Sequence, residues 1–210
     1  MDKALLRLHA WLSPGYPVGA YTYSHGLETL IANGEISDGD DLLTWITDLL
    51  SVGSGRNDAI LLAHAWRSPD DQAIGDLARA LSPSSERALE TEAQGAAFAS
   101  VTAAAWGTGG GPAPYPVAVG RAAARADIPL DTALPVFLQA FAANLISAGV
   151  RLIPLGQTEG QWVLARLSDT INAAAEEAAS ASVDDLGGCA FASDIASMHH
   201  ETLDVRLFRS

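Results

Sequence analysis

Apolar residues recur at helical spacing along most of the chain. Leu5, Leu8 and Trp11 follow one another every three residues, and a denser pattern of the same kind runs through residues 42–50. Positions three or four residues apart lie on one face of an α-helix, so these segments predict amphipathic helices. No segment shows the sustained alternation of apolar and polar residues that is typical of strands. The pattern therefore predicts an all-α fold.

Capping and helix-breaking residues divide this pattern into a bundle of about eight to ten helices. Asn33-Gly34 is a signal that ends a helix, and either Ser37 or Asp38 is a favourable N-cap that is followed by further acids. Pro135 is expected in the first turn of its helix, where proline is tolerated. The predicted helices comprise residues 5–12, 24–32, 38–50, 58–66, 70–81, a long helix that starts within 82–86 and runs to about 106, then 117–126, 131–153 and 158–181, with a short helical piece within 189–210.

The segment 107–116 is rich in Gly and Pro and separates two alanine-rich halves of the chain. It could be a linker between two domains. However, each half alone would form a small domain with a weak core, and the helices on both sides have the same character. We therefore interpret 107–116 as a loop within a single domain, residues 1–210.

One predicted helix is apolar enough to raise the question of a membrane. Residues 132–150 carry no charge, and their length is near that needed to cross a bilayer. The stretch nevertheless includes Gln139 and Asn144, and its bulky residues recur at helical spacing. These features favour the central helix of a bundle, so we expect no membrane partner.

Composition narrows the possible partners. The 210 residues are 49% apolar and 18% charged, which excludes a disordered chain. The net charge is −13, with only 12 basic residues, so nucleic acid is not an expected partner. A basic or metal-carrying protein fits this charge better. Arg7 and His9 interrupt the first apolar stretch, which is unlike a signal peptide, and we expect a cytoplasmic protein.

The signatures of several kinds of chemistry are missing from the sequence. Lys3 is the only lysine, and neither a P-loop nor a G-x-S-x-G motif is present. Cys189 is the only cysteine and is interpreted as a buried, inert thiol. His200-Glu201-Thr202-Leu203-Asp204 nearly matches the H-E-x-x-H zinc motif, which leaves a metal-dependent hydrolase as an alternative. We expect a protein without catalytic residues, metal site or cofactor.

Three segments carry more polar and aromatic residues than core packing requires. Residues 13–28 hold three of the four tyrosines of the chain, and tyrosine offers a large contact area with few rotatable bonds. Residues 151–161 form a predicted turn between two helices, with an arginine and two glutamines. Residues 194–210 are a terminus rich in Met, Leu, Phe and Arg, which suits docking on the body of the chain or on a partner.

These three segments resemble the UreF family of urease accessory proteins. The shared motifs are Ser-Pro-x-x-Pro-Val-Gly-x-Tyr-x-Tyr-Ser-His-Gly-Leu-Glu at 13–28, Arg-Leu-Ile-Pro-Leu-Gly-Gln-Thr-x-Gly-Gln at 151–161, and Met-x-His-Glu-Thr-Leu followed by Arg-Leu-Phe-Arg-Ser at 198–210. Their order matches the family, and residues 85–95 also look similar. His199 stands where the family often has Arg, and Asp204-Val205 replaces a more usual polar-aromatic pair, so the local contact at the tail differs.

The resemblance implies an all-α protein without catalytic activity that forms a homodimer and helps to insert nickel into urease. It implies binding to UreD (also called UreH), assembly on urease apoprotein, and recruitment of UreG, the GTPase that carries nickel. The resemblance is compatible with a protein that activates the GTPase, one that restrains it, or one that only positions it. Contact with UreG is expected at Arg206 and around Tyr23. The implied partner-binding residues are Tyr21, Tyr23, His25, Glu28, Gln157, Gln161, His200, Glu201, Arg206, Phe208 and Arg209.

Overall fold

The fold is described from a computed structural model, which covers residues 3–108 and 110–210. The described residues form no strand, and the predicted all-α fold with about ten helices is confirmed. Two short 3₁₀ helices, Ala20–Thr22 and Val183–Asp185, lie in the connections. The α-helices are α1 (Lys3–Trp11), α2 (Leu27–Ala32), α3 (Gly39–Val52), α4 (Ser54–Arg67), α5 (Ala73–Ala80), α6 (Ser85–Trp106), α7 (Tyr115–Arg125), α8 (Leu130–Leu152), α9 (Gln157–Arg166), α10 (Ser168–Ser180) and α11 (Phe191–His200).

Side-chain caps fix the starts of two helices, α3 and α6. The Asp38 carboxylate accepts the backbone N–H groups of Asp40 and Asp41 at 2.9 Å, which satisfies free donors at the start of α3. The Ser84 hydroxyl accepts the backbone N–H of Arg87 at 3.2 Å and starts α6 in the same way. α6 ends at Gly107, whose φ of 69° belongs to the left-handed region that glycine adopts easily.

The central helix of the bundle is α8, which packs against helices from both halves of the chain, including α2, α3, α4, α9 and α10. Its inner face carries the buried residues Leu134, Leu138 and Leu145. α8 is long and apolar enough to cross a membrane, but half of its most apolar stretch is buried inside the protein. This packing is that of a core helix, as the spacing of its bulky residues predicts.

The structure differs from the sequence predictions at two helix boundaries and at two single residues. The predicted helix 158–181 is divided at Leu167, whose N–H is shared between the carbonyls of Val163 and Leu164 in a tighter turn. The helix predicted at 58–66 begins at Ser54, and Gly55 in its first turn lies close to Leu49 and Phe141, where a larger residue would be crowded. Pro135 lies inside α8 rather than in its first turn. Leu5, expected on the buried face of α1, is exposed.

The Gly/Pro-rich segment packs against the helix before it. A Cβ atom on Gly95 would overlap the Ala113 carbonyl oxygen, so only glycine lets the segment lie this close to α6. The backbone N–H of Tyr115 donates to the Thr91 hydroxyl at 3.1 Å and fixes the start of α7 on the same helix. α6 and α7 then pack along each other. Gly109, within this segment, lies outside the described residues.

Candidate functional site

The first polar segment reaches the body of the protein through an unusual turn. His25 and Gly26 both have positive φ, 56° and 81°, so the chain reverses sharply just before α2. A Cβ atom on Gly26 would lie 2.6 Å from the backbone nitrogen of Ser197. Only glycine therefore lets α2 and the C-terminal helix α11 pack this closely. The turn brings the 13–28 segment and the tail together.

Glu28 is the buried acceptor that fixes the tail. Its Oε1 accepts the backbone N–H of Leu207 at 2.7 Å, and its Oε2 accepts that of Phe208 at 3.0 Å. The Nε2 atom of His200 lies 3.0 Å from the same Oε2. A buried carboxylate is costly unless donors surround it, and here the tail supplies them. The extended tail is therefore held by charge-assisted hydrogen bonds to α2.

The start of α6 supplies a second set of contacts for the tail. The Glu86 carboxylate lies 2.6 Å from His200 Nδ1 and accepts from Arg206 Nη1 at 2.5 Å. In return, Glu201 accepts the backbone N–H of Ser85 at 2.8 Å and its hydroxyl at 2.7 Å. These hydrogen bonds from Ser85 hold the pKa of Glu201 below its usual value. A carboxylate at this position also complements the positive N-terminal end of α6.

Arg151 connects the second polar segment to the other two. Its guanidinium lies over the ring of Phe208, 4.8 Å from the ring centroid, and donates to the Tyr21 carbonyl at 3.1 Å. Phe208 is buried, whereas the Tyr21 side chain is exposed. One residue of the 151–161 segment thus contacts both the first segment and the tail.

A buried ionic cluster lies beneath this junction. Glu90 faces Arg87 and His25, with His25 Nε2 2.9 Å from Glu90 Oε1, and it also accepts from the Ser210 hydroxyl at 2.9 Å. Burial alone would raise the pKa of Glu90, but Arg87 and His25 outweigh it and lower that pKa to about 2. Burial and the neighbouring Arg87 lower the pKa of His25. At neutral pH the cluster therefore holds an ionised Glu90 and a neutral His25.

Nine of the predicted residues lie around this junction. The chain buries some of them in its own interior and leaves others on the surface, and their contact with partner proteins stays a prediction. Gln157 and Gln161 lie apart from the junction, on the exposed side of α9. The buried ones are Tyr23, His25, Glu28, His200 and Phe208, and the exposed ones are Tyr21, Glu201, Arg206 and Arg209.

Sequence reasoning assigned no role to the acids of α6. Glu86, Glu90 and Gln94 recur every four residues in an alanine-rich helix, which places them on one face. This polar stripe is the sequence signal that could have revealed the ionic cluster, with the neighbouring Arg87 as the counter-ion. Asp58 on α4 gave no signal, because a single acid near a helix start is ordinary.

Two expectations about reactive groups change with the structure. Both nitrogens of His200 already face carboxylates of the chain, from Glu28 and Glu86, so neither is directed towards Asp204 as a metal ligand would be. Among the residues that the structure describes, no group of three His, Cys, Asp or Glu is placed to hold a metal ion. Cys189 is exposed rather than buried, because it follows Gly187-Gly188 in a surface segment.

The fold and the junction define an all-α protein whose tail is fastened to its body by buried ionic hydrogen bonds. A model of the UreF family matches residues 36–168. Urease accessory proteins UreF are similar over nearly the whole chain: that of Cereibacter sphaeroides is 53% identical over 210 residues, covering 100% of both chains. That of Roseobacter denitrificans is 52% identical, covering 99% of this chain and 94% of its own. The chain therefore belongs to the UreF family of urease accessory proteins, and its role lies in urease maturation.

Proposed function

We propose that this chain is a non-catalytic, cytoplasmic maturation factor for the urease nickel centre. In this proposal it forms a homodimer, binds UreD (UreH), assembles with it on urease apoprotein, and recruits or regulates the GTPase UreG. Nickel is then the cargo of the assembly rather than a resident cofactor of this chain. The observation that carries the proposal is an exposed apolar face on α11.

α11 turns its large apolar residues outwards. Phe191, Ile195 and Met198 follow at helical spacing and are 67%, 51% and 47% exposed. The inner face instead carries small or polar residues, such as Ala196 and Ser197. A helix that packs only within its own chain buries its large apolar residues, so this arrangement supports a protein partner on the outer face. In the tail that follows α11, the apolar residues Val205 and Leu207 are also exposed.

The junction beneath α11 keeps this face in one conformation. Ser197 Oγ lies 2.6 Å from Ser84 Oγ, and His200 is fixed by Glu28 and Glu86. A surface that is already ordered loses less conformational entropy when a partner binds. The buried family motifs therefore support binding indirectly, because they position the apolar residues that would touch the partner.

The experiment is a pull-down of UreD and UreG with the full, tagged chain and its variants. Ile195→Asp places a charge in the exposed α11 face and should abolish recovery of at least one of the two partners. Leu5→Asp is the matched control, because Leu5 is 47% exposed but lies on α1. Undiminished recovery of both partners by folded Ile195→Asp would overturn the proposed role of this face.

A further inference from the structure

A cavity of about 170 Å³ lies between the 12–21 loop and helices α6, α7 and α8. Aromatic rings line its walls, among them Tyr16, Tyr115, Phe137 and Phe141. At about 30 Å³ for each water-sized group, the space admits roughly six non-hydrogen atoms. Apolar walls with a few polar groups at one end are typical of sites for small molecules.

The polar end of this cavity contains two carboxylates. One has partners at both of its oxygens, and the other accepts no hydrogen bond from the described residues. Glu90 faces His25 and Gln94 through Oε1, and Arg87 and the Ser210 hydroxyl through Oε2. Asp58, by contrast, accepts no hydrogen bond from the described residues, and its nearest cation is the Arg87 guanidinium at 3.9 Å. Asp58 is therefore the carboxylate that has capacity for a ligand.

His25 supplies a second group without a partner. It lines the cavity, is only 6% exposed, and its Nδ1 makes no hydrogen bond with the described residues. Nε2 faces both Glu90 and Arg87, whereas Nδ1, on the other side of the ring, is buried without a hydrogen-bond partner among the described residues. Buried polar groups in native proteins are nearly always satisfied by protein, water or ligand.

The net charge at the polar end of the cavity favours a positively charged ligand. Asp58 and Glu90 carry two negative charges when ionised, against the single positive charge of Arg87. The faces of the surrounding aromatic rings are also negative and attract cations. An anion would meet a net negative charge, whereas one positive charge would balance the cluster.

We propose that this cavity binds a small organic monocation of the primary ammonium or guanidinium class, with Asp58 as its counter-ion. The aromatic rings would surround the apolar part of the ligand. A free small amine and the tip of a lysine or arginine side chain from a protein partner share this chemistry, and the test below distinguishes the two sources.

The test is calorimetric titration of the full chain with n-butylammonium, with n-butanol as the neutral analogue of the same size. We expect saturable binding of the cation and none of the alcohol. Asp58→Asn should weaken binding at least tenfold, whereas Asp48→Asn should not, because Asp48 is exposed on α3 and does not line the cavity. Thermal unfolding establishes that both variants are folded. Absence of cation binding, or equal binding of n-butanol, would overturn the proposal.

A peptide identifies the source of the ligand. Acetyl-Gly-Lys-Gly amide is titrated beside the same peptide with norleucine in place of lysine. Binding of the lysine peptide that Asp58→Asn removes assigns the cavity to a partner's side chain. Binding of n-butylammonium without the peptide assigns it to a free amine.

The pH dependence of binding gives a second readout. Burial raises the pKa of Asp58 to about 7, although Arg87 opposes the shift. The charged and titratable groups around Asp58 are Arg87, Glu90, His25, Tyr115 and Asp194. The cation needs the ionised form of Asp58, so affinity should rise about tenfold between pH 6 and pH 8. An affinity that does not change with pH, or one that changes equally in Asp58→Asn, would contradict the role of Asp58.

Discussion

The carboxylate of Glu28 accepts a hydrogen bond from the backbone N–H of Phe208 at 3.0 Å, although 180 residues separate the two along the chain. A buried carboxylate is unfavourable without donors, and a tail that packs against the body is unfavourable without acceptors for its buried N–H groups. In the folded chain, the Glu28 carboxylate accepts the hydrogen bonds that the N–H groups of the tail donate. The first and third family motifs are thus two halves of one internal contact.

Removal of the Glu28 carboxylate should release the tail. Glu28→Ala leaves the N–H groups of Leu207 and Phe208 without an acceptor, and we expect a loss of about 3 kcal/mol in the free energy of unfolding. Hydrogen exchange should also accelerate at residues 206–210. Glu35→Ala is the control, since Glu35 is exposed and its carboxylate accepts a hydrogen bond from the side chain of Asn33. Equal protection of the tail in both variants would contradict the contact.

Gly26 should be far less tolerant of a side chain than Gly34. Both residues have left-handed φ, 81° and 77°, but a Cβ atom on Gly34 meets no atom within 4 Å, whereas one on Gly26 lies 2.6 Å from Ser197. Gly34→Ala should cost about 1 kcal/mol for its backbone conformation alone. Gly26→Ala should cost at least about 1 kcal/mol more. Chemical unfolding measures both, and equal costs would exclude the close packing of α2 on α11.

The overall fold could be predicted from the sequence much better than the junction. Helical periodicity and caps such as Asp38 are local signals, and they correctly predict an all-α fold. The division at Leu167 was missed because apolar spacing continues through it. The pairing of Glu28 with Phe208 carries no local signal, since nothing near either residue specifies a partner 180 positions away. Family resemblance drew attention to the three segments, but only the structure shows that several of their polar residues contact each other.

Asp58 should make the stability of the protein depend on pH. Burial raises its folded pKa to about 7, although Arg87 opposes the shift, while the unfolded chain has the usual value near 3.8. The folded state therefore binds the proton more tightly, and the free energy of unfolding falls as pH rises from about 4 to about 7. Asp58→Asn should stabilise the protein by about 1–3 kcal/mol at pH 8 and by much less at pH 4.

Urea unfolding of both proteins at the two pH values provides the check. Each variant is compared with the unmodified chain at the same pH, so the difference reports the effect of the substitution. Asp48→Asn, at an exposed position of α3, serves as control and should change stability little at either pH. A destabilised Asp58→Asn at pH 8 would contradict the unfavourable burial of this carboxylate.

Arg206 should matter for partner binding more than for stability. The Arg206 side chain is 41% exposed, and Glu86 keeps its contact with His200 when Arg206 is removed, so Arg206→Ala should cost about 1 kcal/mol or less. If Arg206 contacts UreG as the family motif implies, recovery of UreG in a pull-down should nevertheless fall severalfold. Arg79→Ala is a matched control, because Arg79 is similarly exposed and also pairs with a carboxylate, that of Glu92. Equal recovery of UreG by the two variants would remove Arg206 from the contact.

Restoration of urease activity tests the proposed function most directly. Cells in which this chain is the only UreF protein would carry the unmodified chain, Ile195→Asp or Leu5→Asp, and urease activity and nickel per urease would be measured. We expect full restoration by the unmodified chain and by Leu5→Asp, and severe loss with Ile195→Asp although that protein accumulates normally. Full activity and full nickel content with Ile195→Asp would contradict the claim that the exposed face of α11 recruits the maturation partners.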